Sequence, residues 1–584
     1  VHATPLFFMR NERLGLLMIG LRALLVLAIL APSGMAQAQT VNLTDASDPA
    51  LETALQSLVE ERSKTGASNS RATADQLVRY LRSEGYYTAR VIVDQSDDAP
   101  VYQVAQGEQF HFTAIRVQAA GQPDAQSVAR DALPLSIGDP VRAEDVLNAE
   151  TEGLRALRNS GWPDARLDER TITVDHADAS GDALFIYEPG VESLYGDIVL
   201  ESERWRDSFI RRLSPFEPGE RVSAAQMRTF ESRLEALESM SSASVTLDAP
   251  TDQAQPQRRA VRVSASPSPR HVAEAGFSLS TSEGGGVSGA YRRRNVFGGD
   301  ETLNVDLNVA TVQSGIQLEL SAPHWRRLGQ ALTLEARAQR EETDAYDLVE
   351  GGLGARVSRP ITDTLTISVG GDLSVSHSEN DTLDLDVYTG SVSLGAVWDQ
   401  RDSAIAPTQG NLISMEISPT VLAGDASSTY FRTVIEGRTY QRLSPSLIIA
   451  ARLRSGGLIG APLETLPPEQ RFFAGGGGSA RGYDYQSLSP RNADGDLIGG
   501  RSIVESSVEL RWRQSRRWGG VLFVDSAAAG RDETPDFGAV RSAVGVGLRY
   551  YLDFAPLRLD IATPLDGDST DADIQLYIGL GEAF

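Results

Sequence analysis

Near residue 270 the hydrophobic period of this chain changes from that of a helix to that of a strand, and each half is constrained accordingly. Before the change, Met227, Phe230, Leu234 and Leu237 fall three or four residues apart, one face of an amphipathic helix. Ala74, Leu77, Val78 and Leu81 make an earlier helix, and Val146, Leu147, Leu154 and Leu157 another. After it, Leu303, Val305, Leu307 and Val309 alternate with Asn304, Asp306 and Asn308. Leu318-Glu319-Leu320, Leu383-Asp384-Leu385-Asp386-Val387 and Leu557-Arg558-Leu559-Asp560-Ile561 do the same, the pattern of strands with one apolar face.

The helical half repeats. Leu81-Arg82-Ser83-Glu84-Gly85-Tyr86 aligns with Leu157-Arg158-Asn159-Ser160-Gly161-Trp162, where glycine suits the left-handed residue that ends a helix and the aromatic can cap the core. A third copy, Leu237-Glu238-Ser239-Met240-Ser241-Ser242, lacks both glycine and aromatic. Gly107 followed by Phe112 and Ile115 matches Gly190 followed by Tyr195 and Ile198, each opening a unit with a strand. A period of roughly 80 residues exceeds that of solenoid repeats and fits tandem small α/β domains. One larger α+β domain with chance similarity is the other reading. The units are bounded at 39–108, 109–189 and 190–268.

Residues 1–38 read as a secretory signal peptide. Arg10 and Arg13 precede the apolar stretch Leu14–Ala31, and Ala36-Gln37-Ala38 has the small-x-small pattern of a cleavage site. An N-terminal membrane anchor is the alternative, disfavoured by Arg22 within the apolar run.

Residues 269–584 read as an all-β barrel. With turns, the segment holds about 16 membrane-length strands, the even number a closed antiparallel barrel needs. A soluble sandwich also alternates. Charges recurring on the polar face, the lack of a long helix and a final strand (Ile574, Leu576, Ile578, Leu580) ending at Phe584 favour the barrel. A mean hydropathy of −0.22 excludes a helical-bundle membrane protein but not a barrel with a polar lumen. With 79 acidic and 54 basic side chains the net charge is −25, which argues against nucleic-acid binding. The absence of cysteine excludes disulfides, thiolate metal sites and a cysteine nucleophile.

The most informative stretch is Arg471-Phe472-Phe473-Ala474-Gly475-Gly476-Gly477-Gly478-Ser479-Ala480-Arg481-Gly482-Tyr483. It lacks the Gly-Lys-Ser/Thr of a phosphate-binding loop and forms no nucleophile elbow at Ser479. Taken alone it is a mobile glycine-rich loop. Together with Phe523-Val524-Asp525-Ser526, and with Asp399-Gln400-Arg401-Asp402 followed by Pro407-Thr408-Gln409-Gly410, it resembles the motif set of the Omp85 superfamily. The helical units likewise resemble polypeptide-transport-associated (POTRA) domains, β-α-α-β-β modules that precede such barrels. The resemblance implies three POTRA-like domains plus a 16-stranded transmembrane β-barrel in the outer membrane, with the units in the periplasm. It also implies that Arg481, beside Gly482 and Tyr483, folds back into the lumen and pairs with Asp525 near Phe523. Ala527 stands where the family has a glycine, which puts the local backbone in question. Three units, rather than the five of the general assembly protein or the two of two-partner secretion pores, resemble the TamA branch. So do Leu466-Pro467-Pro468-Glu469-Gln470 and Leu576-Tyr577-Ile578-Gly579-Leu580-Gly581.

The function implied by this resemblance is non-enzymatic: insertion or assembly of autotransporters and other outer-membrane proteins through a laterally opening seam. The seam would join a first strand near Ala273–Thr281 to a last strand at Ile574–Phe584, weakened by Gly276, Gly579 and Gly581, with Phe584 at its end. Implied partners are unfolded outer-membrane substrates, outer-membrane lipid and a TamB-like inner-membrane-anchored protein contacted near residues 41–105. A two-partner secretion pore, or phospholipid transport with the TamB-like partner, are the alternatives. No cofactor or metal is expected, since His2, His111, His176, His271, His324 and His377 are scattered. Asp384 and Asp386 share a strand face, which suits a lumen or loop rather than a catalytic dyad.

Overall fold

The computed structural model describes residues 40–44, 49–64, 70–95, 100–250, 257–380, 383–552, 556–567 and 572–582. The leader stretch 1–38 and Phe584 lie outside the described residues.

Three units share one plan. The first contains β1 (Thr40–Leu43), α1 (Pro49–Lys64), α2 (Ser70–Ser83), β2 (Arg90–Gln95) and β3 (Pro100–Ala105). The second contains β4 (His111–Ala119), α3 (Pro123–Asp131), α4 (Ala143–Asn159), β5 (Arg166–Asp175) and β6 (Ser180–Glu188). The third contains β7 (Ser193–Leu200), α5 (Asp207–Leu213), α6 (Ala224–Glu235), β8 (Met240–Leu247) and β9 (Gln257–Pro267). In each sheet the last strand is central, parallel to the first and antiparallel to the hairpin strand. Helices cover one face, and their apolar stripe builds the core. In α4 the buried residues are Val146, Ala149, Gly153 and Leu157, so the core face differs from the one the sequence pattern suggests: Leu147 is 52% exposed. Helical geometry puts residues 146, 149, 153 and 157 on one stripe, and adjacent Leu147 points about 100° away.

The Gly-aromatic repeat does more than cap a core. Gly85 and Gly161 are left-handed (φ +93° and +113°), which turns their carbonyls toward the next unit. Phe110 N–H donates to Gly85 O (2.9 Å) and Ser193 N–H to Gly161 O (2.8 Å). Asn159 Oδ1 also accepts Ala225 N–H at the start of α6 (2.9 Å). At the same corner of unit 3, where the repeat lapses, Ser239 N–H donates to Asp300 of the barrel (2.8 Å).

The barrel comprises β10 (His271–Ser280), β11 (Gly284–Arg294), β12 (Thr302–Ala310), β13 (Gln313–Ala322), β14 (Ala331–Glu342), β15 (Asp347–Pro360), β16 (Leu365–Glu379) and β17 (Asp384–Asp399). It continues with β18 (Gly410–Gly424), β19 (Ser428–Ser444), β20 (Leu447–Ile459), β21 (Ser502–Arg513), β22 (Trp518–Gly530), β23 (Arg541–Tyr551), β24 (Pro556–Pro564) and β25 (Gln575–Leu580). These 16 strands close antiparallel in sequence order. Their outer face is apolar and exposed, as at Leu353, Leu373 and Leu453, while the inner face carries ion pairs such as Arg337 with Glu350 (2.9 Å) and Asp372 (2.7 Å). Only alternate strand residues are apolar and face outward, which is why the mean hydropathy looks like that of a soluble protein. Among the described residues no helix is long and apolar enough to cross a membrane.

Candidate functional site: the lumenal arginine and the seam

Between β20 and β21 the chain does not cross directly but folds into the barrel as residues 460–501. Arg471 ties the two limbs of this loop together, donating to Leu466 O (2.8 Å) and Ile498 O (2.8 Å). Beyond the glycine run, Gly482 adopts φ +105°, and a Cβ there would lie 2.7 Å from Ala543 Cβ. A side chain at this position would be both strained and overlapped.

Arg481, 2% exposed, reaches the barrel wall. Its Nε and Nη2 donate to Asp525 Oδ2 (2.7 Å) and Oδ1 (3.0 Å), a bidentate pair, and its backbone N–H adds a third bond to Oδ2 (3.1 Å). Nη1 donates to Asp560 (3.1 Å), Nη2 also to Glu509 (2.8 Å), and the guanidinium lies 3.5 Å over the Phe523 ring. Strand alternation brings these groups together: Ser507, Glu509 and Arg511 share the lumen face of β21, Phe523 and Asp525 that of β22, and Asp560 that of β24. Arg511 pairs with Glu509 (2.7 Å), and Arg549 pairs with Asp560 and with Glu582 (3.1 Å). Each buried charge therefore has an opposite partner. Ala527 pairs with Glu505 and Arg541 in regular register, so alanine disturbs nothing at the expected glycine position.

Tyr483 is fully buried and donates to Ser542 O (2.8 Å). The loop also touches both flanks of the seam. Gly477 N–H donates to Glu283 (2.6 Å), just after β10, while Gly482 N–H donates to Tyr577 Oη (3.1 Å) and Gln575 to Asp484 (2.5 Å) on β25.

The seam is short. Among the described residues only Leu279 with Ile578 and Ser280 with Tyr577 pair across it, extended by Thr281 N–H to Leu576 O (3.0 Å). This closed part lies at the rim farther from the units. From His271 to Ser278, β10 is paired, among the described residues, with β11 alone. Gly276 pairs with Ser288 and Gly579 with Arg558, and both lie just beyond the described seam pairs. Beyond β25, Gly581 (φ +96°) donates to Pro556 O (2.8 Å), and Glu582 is held inside by Arg549.

Sequence reasoning placed Arg481 and Asp525 together but did not find Glu509 and Asp560 as further partners of Arg481, Arg549 behind Asp560, or Glu283 and Tyr577 against the loop backbone. The signal for the first three was present, a charge on the lumen parity of a strand, yet parity does not say which charges meet. Asp399 and Arg401, of the other motif, pair at 2.8 Å in the turn after β17. Among the described residues no group of three or more His, Asp or Glu side chains forms a metal site.

A model of the Omp85 superfamily domain matches residues 295–584. The chain is 23% identical over 386 residues to the outer membrane protein assembly factor BamA of Nitratidesulfovibrio vulgaris, covering 63% of this chain. It spans about half (48%) of that relative's length. Among solved structures, BamA from Haemophilus ducreyi lacking POTRA domains 1–3 matches with a TM-score of 0.66 at 17% identity, over 81% of this chain and 100% of that one.

Proposed function

We propose that this chain, whose residues 295–584 match a model of the Omp85 superfamily domain, is an outer-membrane assembly factor of the TamA type. Its barrel spans the outer membrane and its three POTRA-like units stand in the periplasm. It acts without covalent chemistry, inserting autotransporters and other unfolded outer-membrane proteins. The observation that carries this reading is the two-pair seam. Among the described residues the edge of β10 from His271 to Ser278 has no partner strand, so its N–H and C=O groups on the unit side are a template for an incoming strand. Substrate would reach it from the units, the first of which would dock a TamB-like inner-membrane-anchored partner. The lumen filled by residues 460–501 supports strand exchange at the wall over passage through an open pore.

The chain has no native cysteine, so a disulfide between Leu279→Cys and Ile578→Cys locks the paired end cleanly. Autotransporter assembly should stop under oxidising conditions and return on reduction. Full assembly with the seam oxidised rules out lateral opening.

A further inference from the structure

The two rims of the barrel differ in charge in a way that assembly of substrates does not use. Turns at the rim far from the units expose Asp344, Asp347, Asp384, Asp425, Asp532 and Asp573. Turns at the rim next to unit 3 instead expose arginines beside apolar side chains. Among the described residues of that rim the acids Asp300, Glu301 and Asp399 are bonded to unit 3 or to Arg401, Asp402 accepts from Thr408 and Gln409 of its own turn, and Asp363 and Asp402 are exposed.

The turn between β21 and β22 is the densest case, Trp512-Arg513-Gln514-Ser515-Arg516-Arg517-Trp518. Its backbone is fixed by Ser515, whose Oγ accepts Arg517 N–H (3.3 Å) and Trp518 N–H (3.1 Å). Trp512 and Trp518, 49% and 48% exposed, end the lipid-facing rows that contain Val508 and Leu522, and Trp518 meets Tyr550 edge-on at 4.7 Å. Arg516 and Arg517 are exposed, and among the described residues no carboxylate lies within salt-bridge distance of either. The turn between β13 and β14 repeats the arrangement: Arg326 lies 4.4 Å over Trp325, and Arg326, Arg327 and Leu328 are exposed.

Unpaired guanidinium next to indole, at the end of a lipid-facing row, matches a phospholipid headgroup. Phosphate accepts two parallel N–H bonds from one guanidinium, and the indole sits at the interface between headgroup and chain. A face for an acidic protein would have no need of tryptophans aligned with the membrane rows. We propose that this rim, through Arg516 and Arg517 above all, binds the anionic headgroups of phospholipids in the leaflet on the unit side. Naming that leaflet periplasmic rests on the orientation proposed above.

The test offers full-length folded, delipidated protein equimolar phosphatidylglycerol and phosphatidylcholine, with bound lipid read by native mass spectrometry. The expected preference for phosphatidylglycerol is about tenfold. R516Q with R517Q should bring the ratio near one while heat-modifiable mobility still reports a folded barrel. R326Q with R327Q reads the same quantity on the second turn should the first pair not fold. A wild-type ratio near one, or an unchanged ratio in both double variants, overturns the proposal. So does an unchanged ratio together with lost binding of an acidic periplasmic protein, which would make the rim a protein-docking face. The barrel locked by cysteines at Leu279 and Ile578 should keep the wild-type preference, so failure of the seam mechanism and failure of lipid binding read out separately.

Discussion

The wall of this barrel is thick on one side and nearly undone on the other. Between β16 and β17 the ladder runs without a break from Leu365–Trp398 to Glu379–Asp384, whereas between β10 and β25 it comprises, among the described residues, only Leu279–Ile578 and Ser280–Tyr577. At about 0.5–1.5 kcal/mol net per hydrogen bond, the thick side cannot part without unfolding, and the thin side costs little. The difference teaches where the lumenal loop matters. Strand pairing cannot hold the thin side by itself, and the loop's bonds to Glu283, Gln575 and Tyr577 stitch both of its flanks from within.

The largest contrast comes from locking each side in turn. Cysteines at Leu279 and Ile578 should abolish assembly when oxidised. Cysteines at Val369 and Leu394, opposite each other across β16 and β17, should leave it at the wild-type rate. If both locks have the same effect, the asymmetry of the wall has no mechanistic meaning.

Next in size is Arg481→Ala. It strands Asp525 in an emptied, buried site and takes one of two cationic partners from Glu509 and Asp560, and an unpaired buried charge costs about 3–5 kcal/mol. The loop should leave the wall, becoming open to protease between residues 460 and 501, and assembly should be lost while the barrel stays folded. Arg481→Lys should fall between, since an ammonium cannot reproduce the bidentate pair. Wild-type activity of the alanine variant removes the loop from the mechanism.

A smaller effect is expected at Glu283, which accepts Gly477 N–H from the rim of the seam. Glu283→Ala removes one stitch, worth about 1–2 kcal/mol. By hydrogen exchange, amides of β10 should already open faster than those of β16, and the variant should widen that gap by changing β10 alone. An equal rise in both strands would mean that Glu283 supports the barrel generally.

How much of this was legible beforehand follows from what periodicity can encode. A period of two marks which residues face the lumen, so the barrel, its strand number and the lumen address of Arg558 and Asp560 were readable. Arg481 and Asp525 were readable as partners only through motif resemblance. Glu509, on β21, and Asp560, on β24, meet the same guanidinium because β22 and β23 lie between them in the closed sheet, and alternation carries no information on that curvature. At the seam, composition can suggest a weak strand through Gly276, Gly579 and Gly581 but not where pairing ends. In the units, Gly85 and Gly161 were visible as helix ends, but their part in joining units depends on the neighbour's position.

The last contrast sets the joint between unit 3 and the barrel against the joints between units. The latter use backbone carbonyls of Gly85 and Gly161, which do not titrate, beside partly exposed ion pairs of Glu84 with Arg142 (3.6 Å) and of Asp164 with Arg259 (2.6 Å). The former uses a buried carboxylate. Asp300, 3% exposed in the turn between β11 and β12, accepts Ser239 N–H (2.8 Å) and Glu238 N–H (3.3 Å). Burial raises its pKa to about 6, against the pull of those bonds and with a further push from Glu238. Around it Arg206 pairs with Glu301 (2.6 Å), and Arg294 lies 3.9 Å from Glu238. A carboxyl whose pKa is raised on docking binds its proton more tightly docked than free, so docking weakens as pH rises from the ordinary carboxyl range through about 6 and is constant above it. Between pH 7 and pH 5 the joint should tighten by about 1 kcal/mol, several-fold in the docking equilibrium. Distances from a spin label on unit 3 to one on the barrel should narrow in distribution over that interval. Asp300→Asn should flatten the dependence, and the distance between labels on units 2 and 3 should not respond to pH. Were that second distance to respond equally, the sensitivity would lie in the units themselves and not in the carboxylate that fastens them to the barrel.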